Sequence, residues 1–289
     1  MSNGIYIIDK PEGMTSHDVV SRMRRLLNQK RVGHGGTLDP MATGVLPIFA
    51  GRSTHAAGFV QEGGKLYAAR MRLGVITDTQ DTTGAVLETR PVTCTRAQVE
   101  AVLARFTGEM EQIPPMYSAV SVGGVRLYQL ARRGMEVERA PRRVTVESLT
   151  LGESAGDQEY ELLIACSKGL YVRTLIADIG EALGCGAAMS ALRRLRAGGF
   201  SIEDAITLEQ AAALAESGRL EEAALCADVL FTELPALRLT AQGERAVKNG
   251  APQRTAQKDG PCRLYGPDGT FLGLGMVADG QARIRKSFY

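Results

Sequence analysis

Residues 32–47, VGHGGTLDPMATGVLP, place a single carboxylate in a glycine-rich segment just before an apolar run. The glycines are Gly33, Gly35, Gly36 and Gly44. Because Pro40 disfavours the helical conformation for the residue before it, Asp39 is predicted to have an extended backbone. Glycines permit unusual backbone angles and a close approach of the chain to a ligand. We therefore predict a rigid, accessible loop that carries one anionic group.

The chemistry of this loop stays open on the residues alone. An aspartate before proline is most often a turn former. The segment lacks the GxxxxGKS/T pattern of a phosphate-binding loop, and no lysine follows its last glycine. No partner carboxylate at a fixed spacing indicates a glycosidase pair. A lone carboxylate serves as a nucleophile, a base or a ligand, and the pattern does not choose among these.

Composition indicates an ordinary globular protein. The 289 residues suffice for one large domain, alone or with a small one, and 44% are hydrophobic while 23% are charged. No apolar run reaches the roughly 18 residues of a membrane span, and no signal-peptide pattern opens the chain. The five cysteines are odd in number and form no CxxC pair, which predicts reduced thiols in a cytoplasmic protein. With three histidines in total, a zinc site of Cys and His is not expected.

Charge is distributed unevenly along the chain. Residues 1–201 carry 24 basic and 20 acidic side chains, residues 202–234 carry one and eight, and residues 235–289 carry nine and four. Two basic parts separated by an acidic stretch are expected if both basic parts contact a polyanion. Variation among solvated faces explains the same pattern equally well.

Local patterns predict an α+β fold. Thr15 and Asp18 form a capping-box pattern before an apolar helical face, and Thr95 with Gln98 repeats it. Residues 67–73, YAARMRL, alternate as a half-buried strand does. Strands and helices alternate without regular βαβ spacing. We therefore predict a mixed or antiparallel sheet flanked by helices rather than a doubly wound fold.

The composition changes after residue 234. A short helical pattern, AQGERAVKNG, is followed by two short strand patterns around a Pro-Asp-Gly turn. This predicts two domains, a main domain at 1–234 and a small β module at 235–289.

The loop and four other segments resemble one enzyme family. GHGGTLDPMATGVLPI at 33–48 is similar to the signature loop of the TruB family of tRNA pseudouridine synthases. The other similar segments are DKPEGMTSHDVV at 9–20, KLYAARMRLGVITDTQDTTG at 65–84, IPPMYSAVSVGGVRLYQLAR at 113–132 and CSKGLYVRTLIADIGEALGCGA at 166–187. They occur in the family's order and cover most of residues 4–200. The tail resembles a PUA module, a small RNA-binding domain.

The resemblance implies site residues. Asp39 would be the catalytic carboxylate, Tyr67 would lie against the target base, and Arg173 would pair with Asp39 and with phosphate. Tyr171 and Leu192 would line the uracil pocket. On the residues alone, Tyr67 is more often a half-buried strand aromatic, and Arg173 more often a surface side chain.

Two further positions follow from the same resemblance. Lys10 would support the wall of the active site or contact a phosphate, although a lone lysine is usually solvated. His34 would lie beside the extruded nucleotide, and the competing reading is a loop histidine bonded to its own backbone. Phosphate contacts are expected from Arg22, Arg24, Arg25, Lys30, Arg31, Arg193, Arg194 and Arg196.

The implied activity is isomerisation of uridine-55 in the T-arm of tRNA, with the base flipped out and no cofactor or metal required. The motif spacing resembles the bacterial stand-alone type, so direct tRNA binding by a monomer without guide RNA is expected. Gly35 stands where many relatives carry threonine, and His55 where lysine is common. A non-catalytic RNA-binding protein and a sibling synthase acting on another RNA site are the competing interpretations.

Overall fold

The computed structural model describes residues 3–289, and within them the chain forms eighteen strands and seven α-helices. The strands up to residue 201 are β1 (Gly4–Lys10), β2 (Val32–His34), β3 (Thr43–Ala50), β4 (Lys65–Leu73), β5 (Val75–Thr77), β6 (Val86–Thr89), β7 (Gly108–Gln112), β8 (Ser121–Val122), β9 (Val125–Arg126), β10 (Arg142–Gly156), β11 (Glu159–Cys166), β12 (Ala187–Ala197) and β13 (Phe200–Ser201). The later strands are β14 (Ala236–Arg238), β15 (Gln253–Arg254), β16 (Gly260–Tyr265), β17 (Phe271–Ala278) and β18 (Gln281–Ser287).

The helices are shorter than the longest strands. They are α1 (Ser16–Leu26), α2 (Ala57–Glu62), α3 (Arg96–Leu103), α4 (Leu127–Ala131), α5 (Val172–Ala182), α6 (Leu208–Glu216) and α7 (Ala241–Lys248). Short 3-10 helices lie at Gly51–Ala56, Ala104–Phe106, Ile202–Asp204, Leu220–Ala223 and Ala227–Phe231. No helix in residues 3–289 is long and apolar enough to cross a membrane.

A nine-stranded mixed sheet forms the centre of the molecule. Its strand order is β1-β3-β12-β4-β11-β10-β7, with β2 paired to β3 and β13 paired to β12. The β3–β12 pair is parallel, and the other pairs in this sheet are antiparallel. The predicted α+β class with a mixed sheet is therefore confirmed.

Strands β1 and β3 are buried on both faces, which explains their continuous apolar sequences. On one face, Tyr6 and Ile8 pack with residues of α1 and α6. On the other face, Ile5 and Ile7 pack in a cluster that includes residues of the C-terminal tail, such as Phe271. The alternation of side chains along a strand thus separates two cores.

Helices α3 and α5 cover one face of strands β4, β11 and β12. The alternating residues of β4, including Ala69 and Met71, pack there with Val99 of α3 and Ile176 of α5. Both predicted capping boxes are present, because the side chains of Thr15 and Thr95 accept hydrogen bonds at the start of α1 and α3. Helix α3 ends at Leu103 and continues as a short 3-10 helix over Ala104–Phe106.

The tail folds as a separate five-stranded sheet. Its strand order is β14-β16-β17-β18-β15, and α7 packs beside it. The two predicted tail strands are β16 and β17, joined through the predicted turn at residues 266–270. This sheet has its own core, which includes Val247, Cys262 and Leu264.

Candidate active site

The Asp39 loop is held in place on both sides of the aspartate. The Leu38 N–H donates to Oγ of Ser16, the first residue of α1, over 2.8 Å. The Lys10 ammonium donates to the carbonyls of Pro11, Met14 and Pro40 over 2.7, 2.6 and 3.2 Å. Because both neighbours of Asp39 are fixed to strand β1 and its connection to α1, the carboxylate has a defined position.

Two of the four glycines of this loop, Gly35 and Gly44, make room for protein rather than for a ligand. Gly44 has φ +101°, and a Cβ there would lie 2.2 Å from the backbone carbonyl oxygen of Arg194. A Cβ on Gly35 would lie 2.9 Å from the ring of Phe49. Gly44 therefore allows β12 to pair closely with β3. Gly35, which stands where many relatives carry threonine, leaves room for the ring of Phe49.

Asp39 forms an ion pair with Arg173. The Nε atom of Arg173 lies 2.9 Å from Oδ2 of Asp39. The arginine is buried in the first turn of α5, whereas 35% of the Asp39 side chain is exposed. A buried cation thus orients a carboxylate that solvent or substrate can reach.

Arg173 also joins two other segments of the chain. Its Nη1 atom donates to the carbonyl of Thr79 over 2.9 Å, and its Nη2 atom donates to the carbonyl of Tyr117 over 2.9 Å. Nη1 lies 3.7 Å from Oδ2 of Asp81, a second and deeply buried carboxylate. Asp81 itself accepts hydrogen bonds from the Thr79 and Thr83 hydroxyls. The arginine is therefore held in one orientation, as planar multidentate recognition requires.

A cleft of about 540 Å³ opens in front of Asp39. This volume lies in the range of small-ligand sites, roughly 300–1,000 Å³. The predicted site residues that line it are His34, Asp39, Tyr67, Tyr171, Arg173 and Leu192. The structure thus brings together six of the seven predicted residues, from four separate segments of the chain.

Tyr67, Leu192 and Tyr171 reach the cleft from different elements. Tyr67 lies on β4 and Leu192 on the adjacent strand β12, and both are buried. Tyr171 precedes α5, and its backbone is fixed by Gln112, whose amide side chain bonds both its N–H and its carbonyl. The cleft is therefore rigid on the sides formed by these strands and by the start of α5.

His34 and Lys10 have different positions relative to the cleft. His34 ends strand β2 and lines the cleft, and its Nδ1 accepts a 3.3 Å hydrogen bond from the Gly36 N–H. Burial lowers the pKa of His34, which favours the neutral ring. Lys10 does not line the cleft, because its ammonium is buried among carbonyls, and burial lowers its pKa to about 8. Two roles were predicted for Lys10, and its buried position fits support of the active-site wall rather than a phosphate contact.

The electrostatics of Asp39 combine two opposing effects. Removal from water raises the pKa of the Asp39 carboxyl, and the Arg173 guanidinium opposes this increase without cancelling it. A carboxylate with a raised pKa is a stronger base and nucleophile than an ordinary aspartate once it is ionised. The arrangement can therefore deliver either kind of chemistry to a group bound in the cleft.

The sequence did not indicate the positions of Asp81 and Arg194 at the site. Asp81 lies in the TDTQDTTG segment, which is part of the resemblance to the family but was given no role there. Arg194 was predicted to contact phosphate, which is wrong for this structure, because its side chain is buried and bonds backbone carbonyls. Its neighbour Arg193 forms an ion pair with Asp9 at 2.7 Å. The alternation along β12 could have indicated that Arg193 and Arg194 differ in their surroundings, since successive residues of a strand face opposite sides of the sheet.

Family models match most of the chain. The model described as TruB family pseudouridylate synthase, N-terminal domain, matches residues 24–172. The chain belongs to the TruB family. A second model, described as the tRNA pseudouridylate synthase B C-terminal domain, matches residues 173–233. The TruB-family assignment confirms the predicted family and the predicted enzyme class, a pseudouridine synthase and thus an isomerase.

Curated relatives in the TruB family match nearly the full chain. The chain is 46% identical over 262 residues to a tRNA pseudouridine synthase B of Geobacter sulfurreducens, covering 90% of this chain and 83% of the relative. It is 43% identical over 290 residues to a tRNA pseudouridine synthase B of Pseudomonas fluorescens, covering 98% and 95%.

Solved structures show the same architecture. The chain aligns with a protein of a Cbf5–Nop10–Gar1 complex at a TM-score of 0.73 and 26% identity, covering 100% of this chain and 85% of that chain. A second match is a chain of an H/ACA ribonucleoprotein bound to a substrate RNA containing 2'-deoxyuridine, with a TM-score of 0.72 and 25% identity. This match covers 100% of this chain and 86% of that chain.

Proposed function

We propose that this protein isomerises uridine-55 in the T-arm of tRNA to pseudouridine, with Asp39 as the single catalytic carboxylate. It acts in the cytoplasm as a monomer, without a guide RNA or a cofactor. The observation that carries this proposal is the pair of Asp39 and Arg173 at a cleft of nucleotide size. Among the relatives, those at 40–46% identity are named tRNA pseudouridine synthase B, which supports tRNA as the substrate.

The reaction rearranges one nucleotide without redox change. The bond between uracil N1 and ribose C1' breaks, a bond between C5 and C1' forms, N1 gains a proton and C5 releases one. A stacked uridine cannot present both N1 and C5 to one carboxylate, so the base must leave the stack, at a cost of a few kcal/mol. Asp39 serves as the nucleophile or the base in this exchange, and both uses require its ionised form, which Arg173 favours.

The other cleft residues hold the extruded nucleotide. Tyr67 supplies an aromatic face for the uracil, and Tyr171 and Leu192 line the pocket around it. His34 lies beside the nucleotide, and its neutral ring can donate or accept a hydrogen bond. Lys10 fixes the loop from behind through the carbonyl of Pro40.

The tail supplies a second contact with RNA. We assign residues 235–289 to a PUA-like RNA-binding module and residues 1–234 to the catalytic domain. The module carries nine basic and four acidic residues, a balance that favours phosphate contacts. Along the sequence, the acidic stretch at 202–234 separates it from the basic part of the chain at 1–201.

Tritium release from tRNA labelled at C5 of uridine tests the proposal. The wild-type protein is expected to release label from position 55, whereas Asp39→Asn is expected to lose about 10³-fold or more in rate. The tRNA affinity of this variant should stay within several-fold, because the amide keeps the shape of the carboxylate. Asp157→Asn, the same change in the exposed β10–β11 turn, provides the matched control and should keep wild-type activity.

Three results contradict the proposal in different ways. Turnover by Asp39→Asn would remove the catalytic assignment. Release of label from another RNA position would indicate a sibling synthase. Binding of tRNA by the wild-type protein without any release would indicate a non-catalytic RNA-binding protein.

A further inference from the structure

The cleft in front of Asp39 carries an excess of positive charge. Six lysines and arginines line it, against two carboxylates, those of Asp39 and Glu62. Arg173 pairs with Asp39, and the buried Arg194 donates to backbone carbonyls. The Glu62 carboxylate is thus left with four cations around it, which are Lys65, Arg142, Arg143 and Lys168. A cleft with such an excess attracts a polyanion.

Lys168 and Glu62 form an ion pair between two elements that line the cleft. Glu62 is the last residue of α2, and Lys168 lies in the loop between β11 and α5. Both side chains stay more than half exposed, at 57% for Lys168 and 66% for Glu62. Because exposed pairs contribute only about 0–1 kcal/mol, another anion can replace Glu62 at little cost.

The position of Glu62 does not benefit the helix that carries it. A carboxylate at the last residue of a helix lies at the negative end of the helix dipole, where a cation is favourable. Lys65 supplies that cation, since its Nζ donates to the carbonyls of Gln61 and Gly63 over 3.2 and 3.1 Å. The interaction with Lys168 therefore accounts for the carboxylate better than the stability of α2 does.

The loop that carries Lys168 is fixed on both sides. The Ser167 N–H donates to the Thr145 carbonyl over 2.9 Å, and the Ser167 Oγ accepts from the Thr145 N–H over 2.9 Å. On the other side, Gln112 holds the backbone of Tyr171. The backbone of Lys168 thus has a set position beside β10. Its ammonium, at the end of a flexible side chain, can exchange one partner for another without a change in the fold.

Arg142 and Arg143 begin strand β10 and line the same cleft with exposed side chains. Among residues 3–289, no carboxylate forms an ion pair with either guanidinium. Thr145, which binds the residue before Lys168, is two positions from Arg143 along β10. The two arginines and Lys168 therefore lie on a common side of the cleft, with donors available for an anion.

We propose that Arg142, Arg143 and Lys168 form a phosphate rim of the cleft, and that Glu62 binds the Lys168 ammonium only until a backbone phosphate of the RNA replaces it. This inference rests on the proposed function, because tRNA is the polyanion concerned. None of the three residues was among the phosphate contacts expected from the sequence. Glu62 is then an internal competitor, which lowers the affinity for RNA without contact with the reacting atoms.

The affinity for tRNA tests this exchange. Dissociation constants would be measured at several salt concentrations for wild type, Glu62→Gln, Lys168→Met and the double variant. Glu62→Gln is expected to bind tRNA about fivefold more tightly, because an amide competes poorly with phosphate for an ammonium. Lys168→Met should bind more weakly and should lower the slope of log affinity against log salt by about one. In the Lys168→Met background, Glu62→Gln should change the affinity by less than about twofold.

Glu161→Gln is the matched control. It removes the same charge from another exposed ion pair, that of Glu161 with Arg70 at 3.3 Å, and neither partner lines the cleft. Its affinity for tRNA should stay within about twofold of wild type, because salt screens exposed charges outside the cleft. Since Glu62 and Lys168 are both largely exposed, their substitutions should not prevent folding.

An equal gain from Glu62→Gln in both backgrounds would show that Glu62 merely repels RNA, and it would overturn the proposal. No gain in the wild-type background, or a wild-type affinity and salt slope for Lys168→Met, would overturn it as well. Pseudouridine formation by the wild-type protein, measured in the same preparations, separates the two hypotheses. Formation of pseudouridine with unchanged affinities in the variants would refute only the exchange, whereas tRNA binding without pseudouridine would refute the proposed function.

Discussion

The cleft and the contact between the tail and the main domain depend on different kinds of interaction. At the cleft, Asp39, Arg173 and Asp81 bring charges together in a largely buried setting. At the tail contact, the rings of Phe231, Phe271 and Phe288 pack within 5.3 to 6.4 Å of one another. One region concentrates charge, and the other removes apolar surface from water.

The difference separates activity from stability. Buried ion pairs recover little more than the cost of their desolvation, so the charges at the cleft define geometry more than they stabilise the fold. Aromatic burial stabilises directly, and polar contacts orient the tail contact, such as that of the Tyr265 hydroxyl with Oδ2 of Asp228 at 2.8 Å. Substitutions at the tail contact should therefore change stability alone, whereas substitutions at the cleft should change the rate above all.

The largest effect on activity, after Asp39 itself, is expected from Arg173→Met. Loss of the guanidinium leaves the carboxylates of Asp39 and Asp81 near each other without their cation. We expect the single-turnover rate to fall about 10³-fold, and the free energy of unfolding to fall by about 3 kcal/mol. Stopped-flow or quench assays with labelled tRNA, together with denaturant titration, measure the two changes.

Arg70→Met is the matched control for this change. Arg70 forms an ion pair with Glu161 at 3.3 Å, and both side chains are about half exposed. Exposed pairs contribute about 0–1 kcal/mol, so neither rate nor stability should change much. Similar losses in both variants would show that the buried network has no special role.

Phe231→Ala should destabilise the tail contact without altering the chemistry. The ring is buried among Phe59, Phe271 and Phe288, and large-to-small changes at such sites cost about 3–5 kcal/mol. Thermal unfolding should occur at a lower temperature, while the rate with saturating tRNA well below that temperature stays near the wild-type value. Phe59→Ala, on the half-exposed partner ring, should cost clearly less.

An equal loss of stability in Phe231→Ala and Phe59→Ala would contradict the burial argument. A large loss of rate at saturating tRNA in Phe231→Ala would show that the tail contact also determines the geometry of the cleft.

The smallest expected effect is a pH dependence of the rate. Burial raises the pKa of Asp39, so its carboxyl takes up a proton at a higher pH than an ordinary aspartate does. The proposed reaction requires the ionised form, and the rate should therefore fall as pH decreases toward this raised pKa, by about tenfold per pH unit below it. Single-turnover rates at saturating tRNA, measured from neutral to acidic pH, give the profile. A rate that stays constant down to about pH 4 would contradict the raised pKa.

Local interactions made much of this molecule predictable. The capping boxes at Thr15 and Thr95 depend on residues three positions apart, and both are present in the structure. The alternation in β4 correctly placed Tyr67 on the buried face. The loop at Asp39 was identified from the order of motifs along the chain, and six of seven predicted site residues line one cleft.

Only the tertiary structure decided which charged residues are buried and what they contact. The charge pattern placed Arg194 among surface arginines, but pairing of β12 with β3 and β4 encloses it between Gly44 and Tyr67, which lie more than a hundred residues away. The contacts of Asp81 with Arg173 and of Phe231 with Phe288 also join segments that are far apart in the sequence. A local pattern reports on neighbours within about one helical turn or two strand positions, whereas contacts between distant segments are set by strand register and sheet order. The sequence by itself therefore determined the elements and the Asp39 loop, and the sheet determined the network around them.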